Sequence, residues 1–242
     1  MCRRHRNSDV YIIDIGVNNG EDVQSWADLF VGCANRKFLL IEPQVRYRNS
    51  IHRMIKKLGV EFVKRTTFLE VAVGNATQHN AVVNQYGDGP TATISGNGGA
   101  RQRKGGRSVR LVSLNQVLPP DARVAFLKID CEGADATILM NIENLFAAKR
   151  VDVAVFEFNR MESEFDVKVV TALSMLESHG YHLYLAGVDP ENVVRRMRKV
   201  VIFMRLTVAH SQKAHSQKVS GLFQQQLSLK NLRLVIEKIR NT

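Results

Sequence analysis

The sequence predicts an α/β protein with a Rossmann-like, mostly parallel sheet. Apolar, β-branched segments alternate with segments of helical periodicity, which is the pattern of parallel strands joined by crossover helices. A glycine-containing turn follows the first apolar segment and precedes the first helical one. The composition, with 45% hydrophobic and 24% charged residues, is that of a globular domain.

The first 75 residues contain three predicted strands and two predicted helices. In chain order they are the strand 11–15, the helix 21–30, the strand 37–41, the helix 45–58 and the strand 68–73. The second helix places Ile51, Met54, Ile55 and Leu58 on one face, which is the spacing of a helix that packs on a core. Residues 75–110 are rich in Gly, Asn and Thr, which predicts short strands and a mobile loop.

The rest of the predicted domain repeats this alternation. Its elements are the strands 109–112 and 124–129, the helix 134–148, the strand 151–158, the helix 167–179, and the strands 181–186 and 199–206. The segment 124–129 is continuously apolar, as in a strand that is buried on both faces of a parallel sheet. We expect one domain over residues 1–206, because single hydrophobic cores rarely grow beyond about 250 to 300 residues.

The composition changes after Thr207. The tetrad HSQK occurs twice between 210 and 218, which is typical of a low-complexity linker, and the pattern of 222–239 fits a basic amphipathic helix. Residues 195–242 contain eleven Lys or Arg and one acidic residue, so they carry most of the net charge of +11. We expect a basic C-terminal tail over 207–242 that docks on its own domain or extends into solvent. It is also a candidate to bind a partner or an acidic surface.

The cysteines and the N-terminus indicate the compartment. Cys2, Cys33 and Cys131 have neither CxxC nor metal-ligand spacing, which argues against a disulfide framework and against a zinc site. The Arg-rich N-terminus lacks the apolar stretch of a signal peptide, and no segment approaches the roughly 18 apolar residues of a membrane span. These observations predict a cytoplasmic protein without a transmembrane segment and without a bound metal.

The segment DIGVNNG, from Asp14 to Gly20, has the context of a nucleotide-binding turn because it follows a strand and opens a helix. Gly16 and Gly20 let the backbone turn sharply and approach a ligand without a Cβ clash, and Asn18 between them is a further candidate to contact the ligand. Acidic residues follow at once at 21–22. They suit the positive end of a helix, but they are poor neighbours for a pyrophosphate, so the turn favours a cofactor without phosphates.

S-adenosyl-L-methionine (SAM) is a cofactor of that kind, with a sulfonium, an ammonium, a carboxylate and a ribose. Asp14 ends the first predicted strand, where its carboxylate can accept a hydrogen bond from the amino group directly or through water. Glu42 ends the second predicted strand, 22 residues beyond Gly20, where it can accept from both ribose hydroxyls. Either carboxylate alone is equally a cap or a surface charge, but together with the glycine turn they predict a SAM site.

Six short motifs occur along 10–158 in an order that resembles the FkbM-type SAM-dependent methyltransferase family. They are DIGVNNG at 14–20, IEP at 41–43, AVGN at 72–75, SLNQVL at 113–118, LKIDCEG at 127–133 and VFE at 155–157. The resemblance implies a class I methyltransferase fold with a seven-stranded, mostly parallel sheet whose last strand, 199–206, is reversed. It also implies methyl transfer from SAM, typically to oxygen on sugars or secondary metabolites, and places Asn75 near the adenine, where such enzymes often have Asp.

Two acidic residues, Asp130 and Glu132, stand at the carboxyl end of the fourth main strand, where sheets of this class bind ligands. Methyl transfer needs a positioned acceptor and, for a hydroxyl, removal of its proton. Asp130 is the first candidate for this base and Glu132 the second. The alternative is that Asp130 orients the cofactor while Glu132 caps the following helix. A metal between them is not predicted, since no further ligand is found, and Cys131 is expected to pack in the core.

The function that follows is O-methylation of a hydroxyl on a small molecule or a glycan. A nucleic-acid methyltransferase that uses the basic segment 101–107 and the tail is an alternative, although no NPPY-like or PC motif supports it. A catalytically silent SAM-binding or interaction module is a third interpretation. An NAD-dependent enzyme is disfavoured, because the middle glycine of the GxGxxG pattern is missing.

Overall fold

The structure is a computed structural model that describes residues 9–31, 35–74, 80–85, 92–95, 107–131, 134–159, 169–185 and 199–206. The strands in these ranges are β1 (Val10–Ile15), β2 (Arg36–Ile41), β3 (Thr66–Leu69), β4 (Ala72–Val73), β5 (Asn80–Gln85), β6 (Ala92–Ser95), β7 (Arg107–Val112), β8 (Arg123–Ile129), β9 (Val153–Asn159), β10 (Tyr181–Leu185) and β11 (Lys199–Leu206). The helices are α1 (Val23–Leu29), α2 (Arg48–Lys57), α3 (Val60–Arg65), α4 (Leu114–Val117), α5 (Asp135–Asn141), α6 (Glu143–Ala147) and α7 (Val169–Ser178). A membrane-crossing helix, long and apolar enough to span a bilayer, is not found in the described ranges.

Seven strands form the central sheet in the order β10-β11-β9-β8-β1-β2-β3. β1 is parallel to β2 and β8, and the flanking pairs β2–β3 and β8–β9 are parallel too. β11 is antiparallel to both of its neighbours, β9 and β10. This topology confirms the predicted mostly parallel sheet with a reversed last strand. The strand order reverses between β1 and β8, and open α/β sheets bind ligands beyond the carboxyl ends of their strands at such a point.

Successive residues of the central strands face opposite sides of the sheet and join different cores. On β8, Phe126 packs with Ile12 in the core that contains the buried residues of α1 and α2. The next residue, Leu127, packs in the core that contains the buried residues of α5, α6 and α7. The alternation therefore places Lys128 and Asp130 on the same side of the sheet as Phe126, the side covered by α1.

The predicted strand 68–73 is wrong in one respect, because it is two strands that belong to different sheets. Phe68 and Leu69 pair with β2 in the central sheet. Ala72 and Val73 pair with β7, in a second sheet of order β4-β7-β5-β6. The short strands predicted within 75–110 are confirmed by β5 and β6. The apolar pattern of this segment, interrupted only by Glu70, does not specify a change of hydrogen-bonding partner, so the division was not predicted from it.

The predicted helices differ from the structure in their ends or in their continuity. The helix predicted over 134–148 is divided into α5 and α6 at Ile142, whose backbone leaves the helical region with φ −115° and ψ 20°. Ile142 is fully buried, so the bend turns an apolar side chain into the core. The helix predicted from residue 21 begins at Val23. A further helix, α3, was not predicted; it follows Gly59, which has a φ of +93° and lets the chain turn after α2.

Candidate functional site

The glycine turn between β1 and α1 packs directly on the carboxyl end of β8. Gly16 and Gly20 have φ values of +86° and +89°, and Asn18 has a φ of +54°, so all three lie in the left-handed region. A Cβ at Gly16 would overlap the carbonyl oxygen of Asp130 and lie 2.9 Å from its carbonyl carbon. Because Asp130 N also donates to the Ile15 carbonyl oxygen at 2.9 Å, only glycine fits between the turn and this strand end.

Glu42 joins this turn to the loop after β2. Its side chain is buried, with 3% exposed. Asn18 N donates to Oε2 and Gln44 N donates to Oε1, each at 2.9 Å. Burial raises the pKa of the Glu42 carboxyl, and these hydrogen bonds lower it only in part. The Gln44 side chain is a third donor to this carboxylate, so about one of its roughly four lone-pair positions remains for a hydroxyl of a ligand.

Asp14 lies at the end of β1, as predicted, but its oxygens already have protein donors. Trp26 Nε1 donates to Oδ2 at 2.9 Å, and Lys128 Nζ donates to Oδ1 at 3.1 Å. The residue is 1% exposed. The Trp26 ring packs in the core against Phe126, with centroids 4.8 Å apart. Its hydrogen bond to Asp14 was not predicted.

Lys128 is a functional candidate that the sequence interpretation missed. Its Nζ lies 3.1 Å from Asp14, 3.6 Å from Asp130 and 3.8 Å from Asp22, measured to the nearest carboxylate oxygens. It also donates to the Gly16 carbonyl oxygen at 3.3 Å. Burial alone would lower the pKa of Lys128, but the three carboxylates raise it by more, so the ammonium form is held. We call these four charged side chains the Lys128 cluster.

The carboxylates of the Lys128 cluster differ in exposure. The Asp22 and Asp130 side chains are each 37% exposed, whereas Asp14 is enclosed. Asp22 precedes α1 without making a side-chain cap. Burial raises the pKa of Asp22, and Lys128 opposes that shift. Two carboxylates therefore face the open edge of the sheet while the third is paired in the interior. The sequence could have indicated Lys128 as a site residue, because the alternation of side chains along β8 puts residues 128 and 130 on one face of the sheet.

The structure brings six of the eight predicted site residues to one edge of the central sheet. They are Asp14, Gly16, Asn18, Gly20, Glu42 and Asp130. Asn75 and Glu132 lie outside the described residues. Cys131 packs against the core as predicted, and burial raises the pKa of its thiol well above the usual range. Within the described part of the chain, no group of three or more His, Cys, Asp or Glu is arranged to hold a metal.

The arrangement suits a ligand that carries a diol at one end and positive charge at the other. Glu42 supplies the buried acceptor for the diol. The exposed carboxylates of Asp22 and Asp130 supply negative charge beside the glycine turn, which disfavours a phosphate there. These groups fit the ribose, ammonium and sulfonium of SAM, whereas a dinucleotide pyrophosphate would face like charge.

Comparison with known proteins gives a family model that matches most of the chain. A family model described as the methyltransferase FkbM domain matches residues 14–183. A methyltransferase FkbM structure from Methylobacillus flagellatus KT is similar with a TM-score of 0.52 and 13% identity, and the match covers 82% of this chain and 44% of that one. The chain thus spans less than half the length of that structure. No curated protein gives a significant sequence match.

Two further solved structures show weaker similarity. Precorrin-6y C5,15-methyltransferase from Geobacter metallireducens GS-15 has a TM-score of 0.44 and 17% identity, with 83% of this chain and 81% of that chain covered. The N-terminal domain of human METTL16 in complex with SAH has a TM-score of 0.43 and 11% identity, with 84% and 64% covered.

Proposed function

We propose, from the premise that this chain belongs to the FkbM methyltransferase family, that it binds SAM and methylates a hydroxyl oxygen on a small molecule or a glycan. The observation that carries the proposal is the convergence of two carboxylates on the glycine turn. Glu42 accepts a hydrogen bond from Asn18 in that turn, and Asp130 is in backbone contact with Gly16. The Glu42 carboxylate is enclosed and suited to binding the cofactor, whereas the Asp130 carboxylate is exposed and can contact the hydroxyl that receives the methyl group.

Glu42 is the proposed ribose ligand. Its carboxylate is held from both sides by backbone donors, so its orientation is set before any ligand arrives. When bound, SAM supplies a methyl group on a sulfonium that reacts with nucleophiles. Asn75 near the adenine and Asp14 toward the amino group are also proposed; because Trp26 and Lys128 already donate to the enclosed Asp14 carboxylate, Asp14 would act on that amino group through its negative charge.

Asp130 is the proposed general base. Its carboxylate lies at the carboxyl end of β8, and its partner Lys128 lies at 3.6 Å, beyond an ordinary hydrogen bond. One oxygen can therefore accept the hydrogen of an acceptor hydroxyl and take its proton as the oxygen is methylated. Glu132, two residues further on, is the second candidate.

We also propose that residues 1–206 form one domain, that residues 207–242 form a basic tail, and that the protein is cytoplasmic.

The binding half of the proposal is tested by calorimetry with S-adenosylhomocysteine (SAH) and with NAD. We expect a saturable signal with SAH and none with NAD. Binding of NAD alone would overturn the cofactor assignment.

The catalytic half is tested with radiolabelled SAM and a cell extract separated into small-molecule, glycan, nucleic-acid and protein fractions. We expect label in an alkali-stable, ether-linked methyl group of the small-molecule or glycan fraction, and an initial rate of labelling at least about a hundredfold lower with Asp130→Asn. SAH binding without label in any fraction would favour the silent binding module instead.

A nucleic-acid acceptor is the second candidate, and one surface favours it. The exposed face of α2 carries Arg53, Lys56 and Lys57, whereas the segment 101–106 and the tail on which the sequence argument relied lie outside the described residues. Phosphate contacts through such cations give salt-dependent binding without base recognition. Label in the nucleic-acid fraction that disappears with Lys56→Glu and Lys57→Glu would support this candidate over a small acceptor.

A further inference from the structure

The Lys128 cluster combines charges from three separate elements. Asp14 is the penultimate residue of β1, Asp22 precedes α1 and Asp130 follows β8. All three carboxylates lie within 4 Å of Lys128 Nζ. With the three carboxylates ionised and the lysine protonated, the formal charge of the cluster is −2. The Lys128 side chain is 13% exposed, so the positive charge lies beneath the two exposed carboxylates.

The position of Lys128 explains how three carboxylates can share one strand edge. A buried carboxylate without a partner is costly, and Asp14 is 1% exposed. Lys128 pairs with it directly and leaves Asp22 and Asp130 to act on whatever lies beyond the turn. Removal of the lysine would make this edge more negative by one charge, and removal of one carboxylate would make it less negative by one.

We propose that Lys128 is a specificity-determining residue that limits the negative charge at the cofactor edge and so sets the preference of the site for SAM over its product SAH. The inference rests on the proposed function. SAM and SAH share the adenine, the ribose and the amino acid part, and differ by one methyl group and one positive charge. A change in the charge of the cluster therefore acts on the difference between the two ligands, whereas a packing defect weakens both.

The test measures the dissociation constants of SAM and SAH at pH 8 by calorimetry and uses their ratio, Kd for SAH divided by Kd for SAM. Lys128→Met removes the positive charge and should raise the ratio by roughly three- to tenfold. Asp22→Asn removes one negative charge with little change in shape and should lower the ratio by a similar factor. The two variants thus move the same quantity in opposite directions.

The double variant Asp14→Asn with Lys128→Met restores the formal charge of −2 and keeps an oxygen acceptor for Trp26. Its ratio should return to within about twofold of the unmodified protein, although the geometry around residue 128 has changed. The double variant also provides a measurement if Lys128→Met alone fails to fold, because it no longer contains the buried Asp14 carboxylate that Lys128 neutralises. Lys37→Met is the matched control, since it removes an exposed lysine at the amino end of β2 and should leave the ratio unchanged.

The outcomes distinguish a failure of the proposed function from a failure of the role proposed for Lys128. Failure of the unmodified protein to bind either ligand would overturn the proposed function and this inference together. Binding of both ligands with a ratio that stays constant in Asp22→Asn and in the folded Lys128 variants would overturn the role of Lys128 alone. A fall of both affinities by the same factor in Lys128→Met, without recovery in the double variant, would show that the lysine only supports the packing.

Discussion

Gly16 and Asp130 are in backbone contact, although 114 residues separate them in the sequence. The contact leaves no room for a Cβ at Gly16, because that atom would overlap the Asp130 carbonyl oxygen. Gly16 is therefore needed where the proposed cofactor-binding turn packs on the end of the strand that carries Asp130. This need is separate from any contact that the turn makes with the ligand. Loss of this contact should affect both functions at once.

Gly16→Ala should lower the free energy of unfolding by about 3 kcal/mol or more, because left-handed backbone strain adds to a clash with rigid backbone. Urea denaturation measures the change. Gly59→Ala is the control, since Gly59 has a similar φ of +93° but open space around its Cβ position. It should cost only the strain of its own backbone conformation, with ψ of 169°, about 1 to 3 kcal/mol. Equal losses in the two variants would contradict the role of the Asp130 contact.

Glu42→Ala should weaken SAH binding by about tenfold or more, because hydrogen bonds to a charged acceptor contribute about 1.5 to 3 kcal/mol each. Calorimetry measures the affinity. Glu61→Ala is a suitable control, because Glu61 is an exposed residue of α3 that pairs with Lys64 on the same helix. Unchanged affinity in Glu42→Ala would remove this residue from the ribose site.

SAH binding should weaken as the pH falls through the pKa of Glu42, which burial raises above its ordinary value of 4.5. Protonation removes acceptor capacity for the ribose hydroxyls. The effect on folding has the opposite sign: a carboxyl whose pKa is raised by folding contributes stability at low pH that is lost as the pH rises through the raised pKa. Glu42→Gln should flatten both profiles, and a pH dependence of binding that persists in Glu42→Gln would assign it to another group.

Asp130→Asn should leave SAH affinity within about threefold and reduce turnover by about 10² to 10⁴, because the amide keeps the shape of the side chain but cannot take a proton. The acceptor fraction labelled by the unmodified protein serves as substrate. Glu132→Gln should reduce turnover less. A loss of SAH affinity that parallels the loss of rate would show that Asp130 orients the cofactor instead.

Trp26→Phe should lower the free energy of unfolding by about 1 to 3 kcal/mol, because the enclosed Asp14 oxygen loses its indole donor. The aromatic contact with Phe126 is largely kept. The same substitution in an Asp14→Asn background should cost less, and a double-mutant cycle by urea denaturation measures the difference. Additive effects of the two substitutions would contradict a direct interaction.

The chain pattern is sufficient to predict the elements that carry the site. The alternation of apolar and helical segments predicts β1, β2 and β8 within about one residue, because periodicity along the chain records which side chains face a core. The glycine turn, Glu42 and Asp130 follow from their places at strand ends. Division of the strand over 68–73 between two sheets does not follow, since the pattern does not specify a hydrogen-bonding partner.

The Lys128 cluster depends on the tertiary structure. Lys128 and Asp14 meet because β8 enters the sheet beside β1, and that neighbourhood arises from the packing of the intervening crossovers on the two faces of the sheet. Local composition determines which residues are buried or exposed in each element. Which buried charges compensate one another is decided only when elements that are distant in the sequence share one sheet edge, where desolvation makes an unpaired charge costly.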